Sequence, residues 1–339
     1  MPKLPTVVVL SLGGTIAMTS GDADGQGGVR PALDAAALVA AVPDIAARAD
    51  VRAHAVRSVP GASLGFDDLL GVLAAARSEV DAGAAGIVVT QGTDTIEESA
   101  YFLDLVWDRA EPLVVTGAMR HPEQPGADGP ANLLASVVVA TSAPARERGV
   151  LVVLNDEIHA ARQVRKTHSS ALGAFTSPDA GPTGRVREGA AHFFAPADRH
   201  ERLPVPAGSR WPRVAVVETV LDEAGDLLPL ISEHTHDAVV TSAFGVGHVS
   251  ETMAERIGKL TASMPVTFAS RTGAGGTFER TYGFPGSEAD LLARGAIPAG
   301  RLDPRKARIL LTLLLADGAT LDKIRAAFVV HGGAGRGRP

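Results

Sequence analysis

The chain is predicted to be an α/β protein of two α/β domains: a larger N-terminal one with a mostly parallel sheet flanked by helices, and a smaller C-terminal one. Three observations predict this. Short apolar, β-branched runs recur between Gly, Pro, Asp or Asn residues, as strands buried on both faces do. Longer Ala- and Leu-rich segments with helical spacing separate them, and that alternation implies parallel strands joined by helical crossovers. Finally, the 339 residues exceed the roughly 250–300 at which a single core stops growing.

Taken in order, the runs at 6–12, 51–56, 87–90, 113–116 and 151–154 are the predicted strands of the first domain. Residues 67–82 and 95–106 are predicted helices; Thr95 followed by Glu98 opens the second with a capping-box pattern. Around 201–213 the texture changes, because Pro204, Pro206 and Pro212 interrupt any regular element. The expected division is therefore an N-terminal domain at 1–200, a linker at 201–213 and a C-terminal domain at 214–339. Strands at 214–217, 238–241 and 266–269 and helices at 250–260 and 304–315 follow. Pro304 suits a first helical turn, where its missing N–H costs little. Internal repeats are absent, and the one biased stretch is Gly-rich, at 21–28.

Composition narrows the function. The 32 basic and 38 acidic residues give a formal charge of −6, which argues against the clustered positive charge of a nucleic-acid binder. Like charges do not run five or six long, so a polybasic membrane patch is not expected either. No stretch approaches the roughly 18 apolar residues that cross a bilayer, and the start of the chain lacks a signal-peptide core. A cytoplasmic protein is the expectation. With no cysteine there is no disulfide framework, thiolate nucleophile or thiolate metal ligand. The ten histidines form no zinc-binding pattern. A metal is therefore not excluded, only unsupported.

Chemistry-bearing residues gather where strands end. Leu12-Gly13-Gly14-Thr15 follows the first strand; ligands in open α/β sheets bind beyond such carboxyl ends. The glycines allow a sharp turn with exposed N–H groups, and Thr15 presents a hydroxyl over the crevice. Taken alone, the motif reads as a plain turn with Thr15 bonding its own backbone. Gln91-Gly92-Thr93-Asp94 ends another strand in the same way and adds a carboxylate, which alone would read as a helix cap. Parallel neighbours would place the two loops, with Gly14 and Gly92, side by side and turn Thr15 and Thr93 toward one substrate. Lys166 is one of only five lysines beside 27 arginines. A lysine can lose its proton on burial and act as a base; the plainer reading is a solvated surface cation. Ser63 could bind polar groups or shape a turn, Ala118 could offer its backbone to an amide, and His248 reads most simply as a structural hydrogen-bonder.

These motifs resemble those of the bacterial-type L-asparaginases, the asparaginase/glutaminase family with a paired-threonine active site. The resemblance rests on Gly-Gly-Thr-Ile-Ala at 13–17, Gly-Thr-Asp-Thr at 92–95, Thr-Gly-Ala-Met-Arg at 116–120 and Leu-Asn-Asp at 154–156 with Lys166 downstream. Leu-Asp-Pro-Arg-Lys-Ala-Arg at 302–308 adds the family's closing helix, so the likeness runs from about 6 to 320. It implies hydrolysis of L-asparagine to L-aspartate and ammonia in asparagine catabolism, with a small-molecule substrate, no cofactor and a homo-oligomer, dimer or tetramer. By match of motif, Thr15 would be the nucleophile, and Thr93, Asp94 and Lys166 would move the proton. Asp94 would also hold the substrate's α-ammonium, Ser63 its α-carboxylate, and the Ala118 backbone its side-chain amide. Backbone N–H groups at the Gly turns could stabilise an oxyanion, an effect of about 2.7–4 kcal/mol per donor.

Three departures qualify that implication. The family commonly carries a tyrosine in the loop after the first threonine; residues 21–30 hold none. Tyr282, one of two tyrosines, is the candidate replacement, with a core or interface role as its other reading. Leu64 follows Ser63 where a glutamine is common, and His248 stands where an asparagine often reaches a neighbouring subunit's site. The rival readings are therefore a glutaminase-asparaginase or other small-amide amidase, and a non-catalytic sensor of aspartate or asparagine. A flavodoxin-like nucleotide binder would need a P-loop or dinucleotide motif, and the chain has neither. Glycine-rich 21–28 suits a lid that orders on substrate.

Overall fold

The computed structural model describes residues 3–14, 16, 18–20, 29–31, 35–197, 199, 201–206, 210–231 and 235–333. Thr15 and the Gly-rich stretch 21–28 lie outside them. The chain divides into two compact units, 1–199 and 200–339.

In the first unit, strands β1 (Thr6–Ser11), β2 (Met18–Ser20), β3 (Val29–Pro31) and β4 (Asp50–Ala55) precede β5 (Gly86–Thr90), β6 (Leu113–Thr116) and β7 (Val150–Leu154). The short strands β8 (Glu157–Ala160), β9 (Arg165–Lys166), β10 (Phe175–Thr176), β11 (Gly184–Arg187) and β12 (Ala190–Phe193) follow. Its helices are α1 (Ala35–Ala40), α2 (Phe66–Asp81), α3 (Ile96–Val106) and α4 (Gly129–Ala140). Eight strands make one sheet in the order β12-β11-β8-β7-β6-β5-β1-β4. From β7 to β4 all pairs are parallel, and β8, β11 and β12 extend the sheet antiparallel. Two further pairs, β2 with β3 and β9 with β10, stand apart from it.

Period-2 alternation explains why this sheet needs helices on both sides. Val7, Val9, Val88, Val114, Leu151 and Val153 share one core with Leu38, Leu133 and Val137 of α1 and α4. Their neighbours Val8, Leu10, Ile87, Val89 and Val115 are equally buried and face the other way, where α2 packs on β1 and β5, and α3 on β6 and β7. Each such side chain contributes about 1.5–3 kcal/mol on burial. Strand β4 is the exception to the buried-strand expectation. It is an edge, and Arg52 and His54 leave the sheet to meet Glu79.

The second unit repeats the principle on a smaller scale. Its strands β13 (Val214–Glu218), β14 (Ala238–Ala243), β15 (Val266–Ser270) and β16 (Ile297–Pro298) form one parallel sheet in that order. Its helices are α5 (Glu251–Leu260), α6 (Glu288–Ala293), α7 (Pro304–Ala316) and α8 (Leu321–His331). All four start on a side-chain cap, from Ser250, Ser287, Asp303 and Thr320, each satisfying a helical N–H that has no partner within the helix. Pro304 occupies the first turn of α7, as its chemistry predicts. Among the described residues no helix is long and apolar enough to cross a membrane.

Candidate active site

The carboxyl ends of β1, β5 and β6 are stitched together past the strands themselves. Leu12 N–H donates to Thr90 O at 2.8 Å, and Gln91 N–H to Thr116 O at 3.1 Å. Backbone contact then decides which residues can follow. Gly14 has φ +92°, and a Cβ there would lie 2.1 Å from Gly92 N, a position no side chain can take. A Cβ on Gly117 would lie 2.6 Å from Gln91 O. The three turns therefore touch through bare backbone, and Gly14, Gly92 and Ala118 come into one place. Thr15 itself lies outside the described residues, directly after Gly14.

Thr93, Asp94 and Thr95 form a single 3-10 turn that leads into α3. Thr93 is buried, and Lys166 Nζ donates to its Oγ1 at 2.9 Å. The same Nζ lies 3.4 Å from Asp94 Oδ1. The Lys166 side chain is only 16% exposed, whereas that of Asp94 is 62% exposed. A buried hydroxyl and a sheltered ammonium are thus joined to a carboxylate that opens to solvent. The plainer readings of two residues fail here. Asp94 bonds Lys166 rather than serving as the cap of α3, and Lys166 is not a solvated surface cation.

The capping box expected at Thr95 and Glu98 is not formed. Thr95 caps α3 without a side-chain bond, because its hydroxyl donates to Gly61 O at 3.0 Å and accepts from Gln91 Nε2 at 3.3 Å. This chain of bonds sets the Gly61–Ser63 turn against Gly92, where Ser63 is exposed and Leu64 half-buried. Ala118 is buried, in a turn that Asp128 and Asn132 hold. Asp128 accepts from Met119 N–H and Arg120 N–H at 3.0 and 2.9 Å, and Asn132 Nδ2 donates to Gly117 O at 3.0 Å.

Asn132 Oδ1 also accepts from Asn155 N–H at 2.9 Å. Asn155 and Asp156 have φ of 52° and 59° and join β7 to β8 as a two-residue hairpin loop with Leu154 opposite Glu157. Such a turn selects residues that tolerate positive φ. The Leu-Asn-Asp motif is there for backbone geometry.

Sequence reasoning missed Glu97, Asp128 and Asn132. Each looks like an ordinary helix-start polar residue, and only the partner across the fold distinguishes it. Glu97 is 2% exposed and accepts from the backbone N–H of Lys166 at 2.7 Å. Among the described residues no group of three His, Asp or Glu is placed to hold a metal ion.

Tyr282 and His248 belong to the second unit, where they are neighbours. Their rings meet edge to face at 4.9 Å, and Phe284 lies 5.0 Å from His248. His248 Nε2 is 3.1 Å from Glu288 Oε2, while Thr281 N–H and Tyr282 N–H donate to Glu288 Oε1. Glu288 is fully buried. Burial alone pushes its carboxyl up, but the N–H groups of Tyr282, Glu288 and Thr281, with the His248 ring, hold it below the ordinary carboxylate range.

Comparison with known proteins gives the family. The family described as Asparaginase, N-terminal matches residues 6–199, and the Glutaminase/Asparaginase C-terminal domain matches 213–328. The chain belongs to the asparaginase family. This family member is 39% identical over 251 residues to a probable L-asparaginase of Deinococcus radiodurans, covering 73% of this chain and 76% of that protein. It is 33% identical over 320 residues to a glutaminase-asparaginase of Pseudomonas fluorescens, covering 92% and 87%. The crystal structure of a probable cytoplasmic L-asparaginase from Campylobacter jejuni superposes with a TM-score of 0.85 at 30% identity, covering 96% of this chain and 99% of that one. The asparaginase-family chain is thus a hydrolase with the family's two-domain α/β fold.

Proposed function

We propose that this hydrolase cleaves the side-chain amide of L-asparagine, giving L-aspartate and ammonia. One observation carries the reading: Lys166 Nζ stands 2.9 Å from the buried Thr93 hydroxyl and 3.4 Å from Asp94, beside the Gly14 turn that leads to Thr15. A threonine hydroxyl is a weak nucleophile until a base accepts its proton. In the proposed reaction Thr93 and Lys166 relay a proton along this hydrogen bond. The relayed proton comes from Thr15, whose Oγ bonds to the amide carbon as the C–N bond breaks, and that same proton is delivered to the leaving nitrogen, which departs as ammonia. Water then cleaves the new Oγ–C bond, restoring Thr15 and placing its oxygen in the product carboxylate. Exposed Asp94 receives the substrate's α-ammonium, exposed Ser63 its α-carboxylate, and the backbone at Gly14, Gly92 and Ala118 its amide oxygen.

The residues of the second unit enter this reading through assembly. We place Tyr282 and His248 at the site of a neighbouring copy in a homo-oligomer, a role supported by the exposure of Phe278, Tyr282 and Phe284. A cytoplasmic location fits the same reading, since the Campylobacter protein is so described. The second substrate reading is glutamine. It is favoured by Leu64, which offers no hydrogen bond beside Ser63, and by the glutaminase-asparaginase relative. Ammonia release from L-asparagine and L-glutamine, measured in parallel, tests both. A higher kcat/KM for asparagine supports the proposal, a higher one for glutamine supports the second reading, and silence on both overturns the catalytic assignment.

A further inference from the structure

Lys166 is held in an unusual way for a residue that must be placed accurately. It lies on β9, two residues long, whose strand partner among the described residues is β10, equally short. Neither belongs to the eight-stranded sheet that carries Thr93 and Asp94. The ladder that fixes the ends of β1, β5 and β6 therefore does not reach Lys166. Something else has to tie the lysine's backbone to the segment that bears its partners.

Glu97 is in the right place. It stands in the first turn of α3, three residues after Asp94, where a negative charge also favours the helix. Glu97 is 2% exposed, and its carboxylate accepts from Lys166 N–H at 2.7 Å, a short charge-assisted bond. A buried carboxylate is costly unless well bonded, and the bond to Lys166 N–H helps to offset that cost. The 3-10 turn and the first turn of α3 thus grip Lys166 between them: Thr93 and Asp94 at Nζ, Glu97 at the backbone. Fixing both ends leaves the side chain little freedom to swing off Thr93.

We propose that Glu97 is the positioning residue that sets Lys166 against Thr93 and Asp94. The inference rests on the catalytic reading of that trio, and its test separates the two. In Glu97→Ala, kcat falls by roughly 10- to 100-fold, the loss expected of about 1 Å of misplacement, while KM changes little. Glu97→Gln keeps an oxygen in place and restores most of the rate. Glu97→Asp, with its carboxylate drawn back by one methylene, falls between. A purely structural role would instead lower stability in all three without this split.

Two readouts are independent of turnover: hydrogen exchange at the Lys166 amide, and the Nζ to Thr93 Oγ1 distance in a crystal structure of the variant. Faster exchange and a lengthened distance in Glu97→Ala, both reversed in Glu97→Gln, support the proposal even if the wild-type protein releases no ammonia. Wild-type kcat or an unchanged distance in Glu97→Ala overturns it, as does an equal loss of rate in Glu97→Gln. If Glu97→Ala does not fold, the Gln and Asp variants decide by the same measurements. Turnover that survives Thr93→Ala would sink the catalytic reading alone.

Discussion

Each unit of the chain keeps an acid–base pair near the carboxyl end of its parallel sheet, Lys166 with Asp94 in the first and His248 with Glu288 in the second, and these two pairs are finished in opposite ways. In the second unit Glu288 is sealed from solvent, and its oxygens are occupied by two backbone N–H groups and the His248 ring. In the first, Asp94 is 62% exposed and meets Lys166 Nζ only at 3.4 Å, while Lys166 makes its shorter bond to a neutral hydroxyl. A carboxylate with its capacity filled holds structure and has nothing left for a ligand. One with oxygens open to solvent, beside a sheltered cation, can take a ligand's ammonium and still orient its neighbour. The contrast separates bonding for stability from bonding for chemistry within one molecule, without appeal to residue type, since both pairs are made of common ionisable groups.

The largest expected effect falls on the open pair. Lys166→Met keeps most of the side-chain volume and removes the amine, so turnover should drop by roughly 10²- to 10⁴-fold, the range of a lost general base. The midpoint of urea unfolding should hardly move, because little is bonded to Nζ beyond Thr93 and Asp94. A variant that turns over normally, or one that loses its fold instead, would erase the distinction between the pairs.

Next comes Asp94→Asn. It keeps the shape and an acceptor oxygen but removes the charge that would meet an α-ammonium. A hydrogen bond to a charged group is worth about 1.5–3 kcal/mol, so KM for asparagine should rise by roughly 10- to 100-fold. Comparison with a substrate whose α-amine is acetylated sharpens the result, because the penalty should vanish for it. An equal penalty on both substrates would move Asp94 from binding to proton transfer alone.

How much of this could be read from the chain alone depended on whether the signal was local. The buried runs of β1, β5, β6 and β7 are marked by continuous apolar β-branched residues, and the two Gly-Thr turns by their own composition. Their meeting followed from parallel neighbours, and the contact between Gly14 and Gly92 realises it. The antiparallel strands β8, β11 and β12 carry no such mark. They are four residues each, too short for a period to emerge. Thr95 followed by Glu98 had a valid local pattern, but the Thr95 hydroxyl donates to Gly61 O and accepts from Gln91 Nε2, and these tertiary partners won. Glu97 was invisible for the same reason: its meaning lies 69 positions away at Lys166. Polar residues whose role is set by a distant backbone group leave no trace in spacing.

The sealed pair is tested through stability. Glu288→Ala leaves the N–H groups of Thr281 and Tyr282 without their acceptor in a buried setting, and each such loss costs about 1–3 kcal/mol. A fall of about 3 kcal/mol in unfolding free energy, followed by urea titration, is the expected outcome. A loss below about 0.5 kcal/mol, the range of ordinary surface changes, would show that the site collapses onto new partners.

The smallest effect is the pH dependence of that same contribution. The folded state holds the Glu288 carboxyl below its ordinary value of 4.5, so the unfolded chain binds the proton first as pH falls. Stability from this group is therefore complete above about pH 4.5 and drains away as acid approaches the lower, folded value. Glu288→Gln, which cannot ionise, lacks this component. The stability gap between wild type and Glu288→Gln should stay level from pH 7 down to about 5 and narrow below 4.5. A gap that widened with acid would mean that burial, which pushes the carboxyl up, outweighs the donors around it. Glu288 would then be an imposed charge rather than a satisfied one, and the contrast with Asp94 would rest on exposure alone.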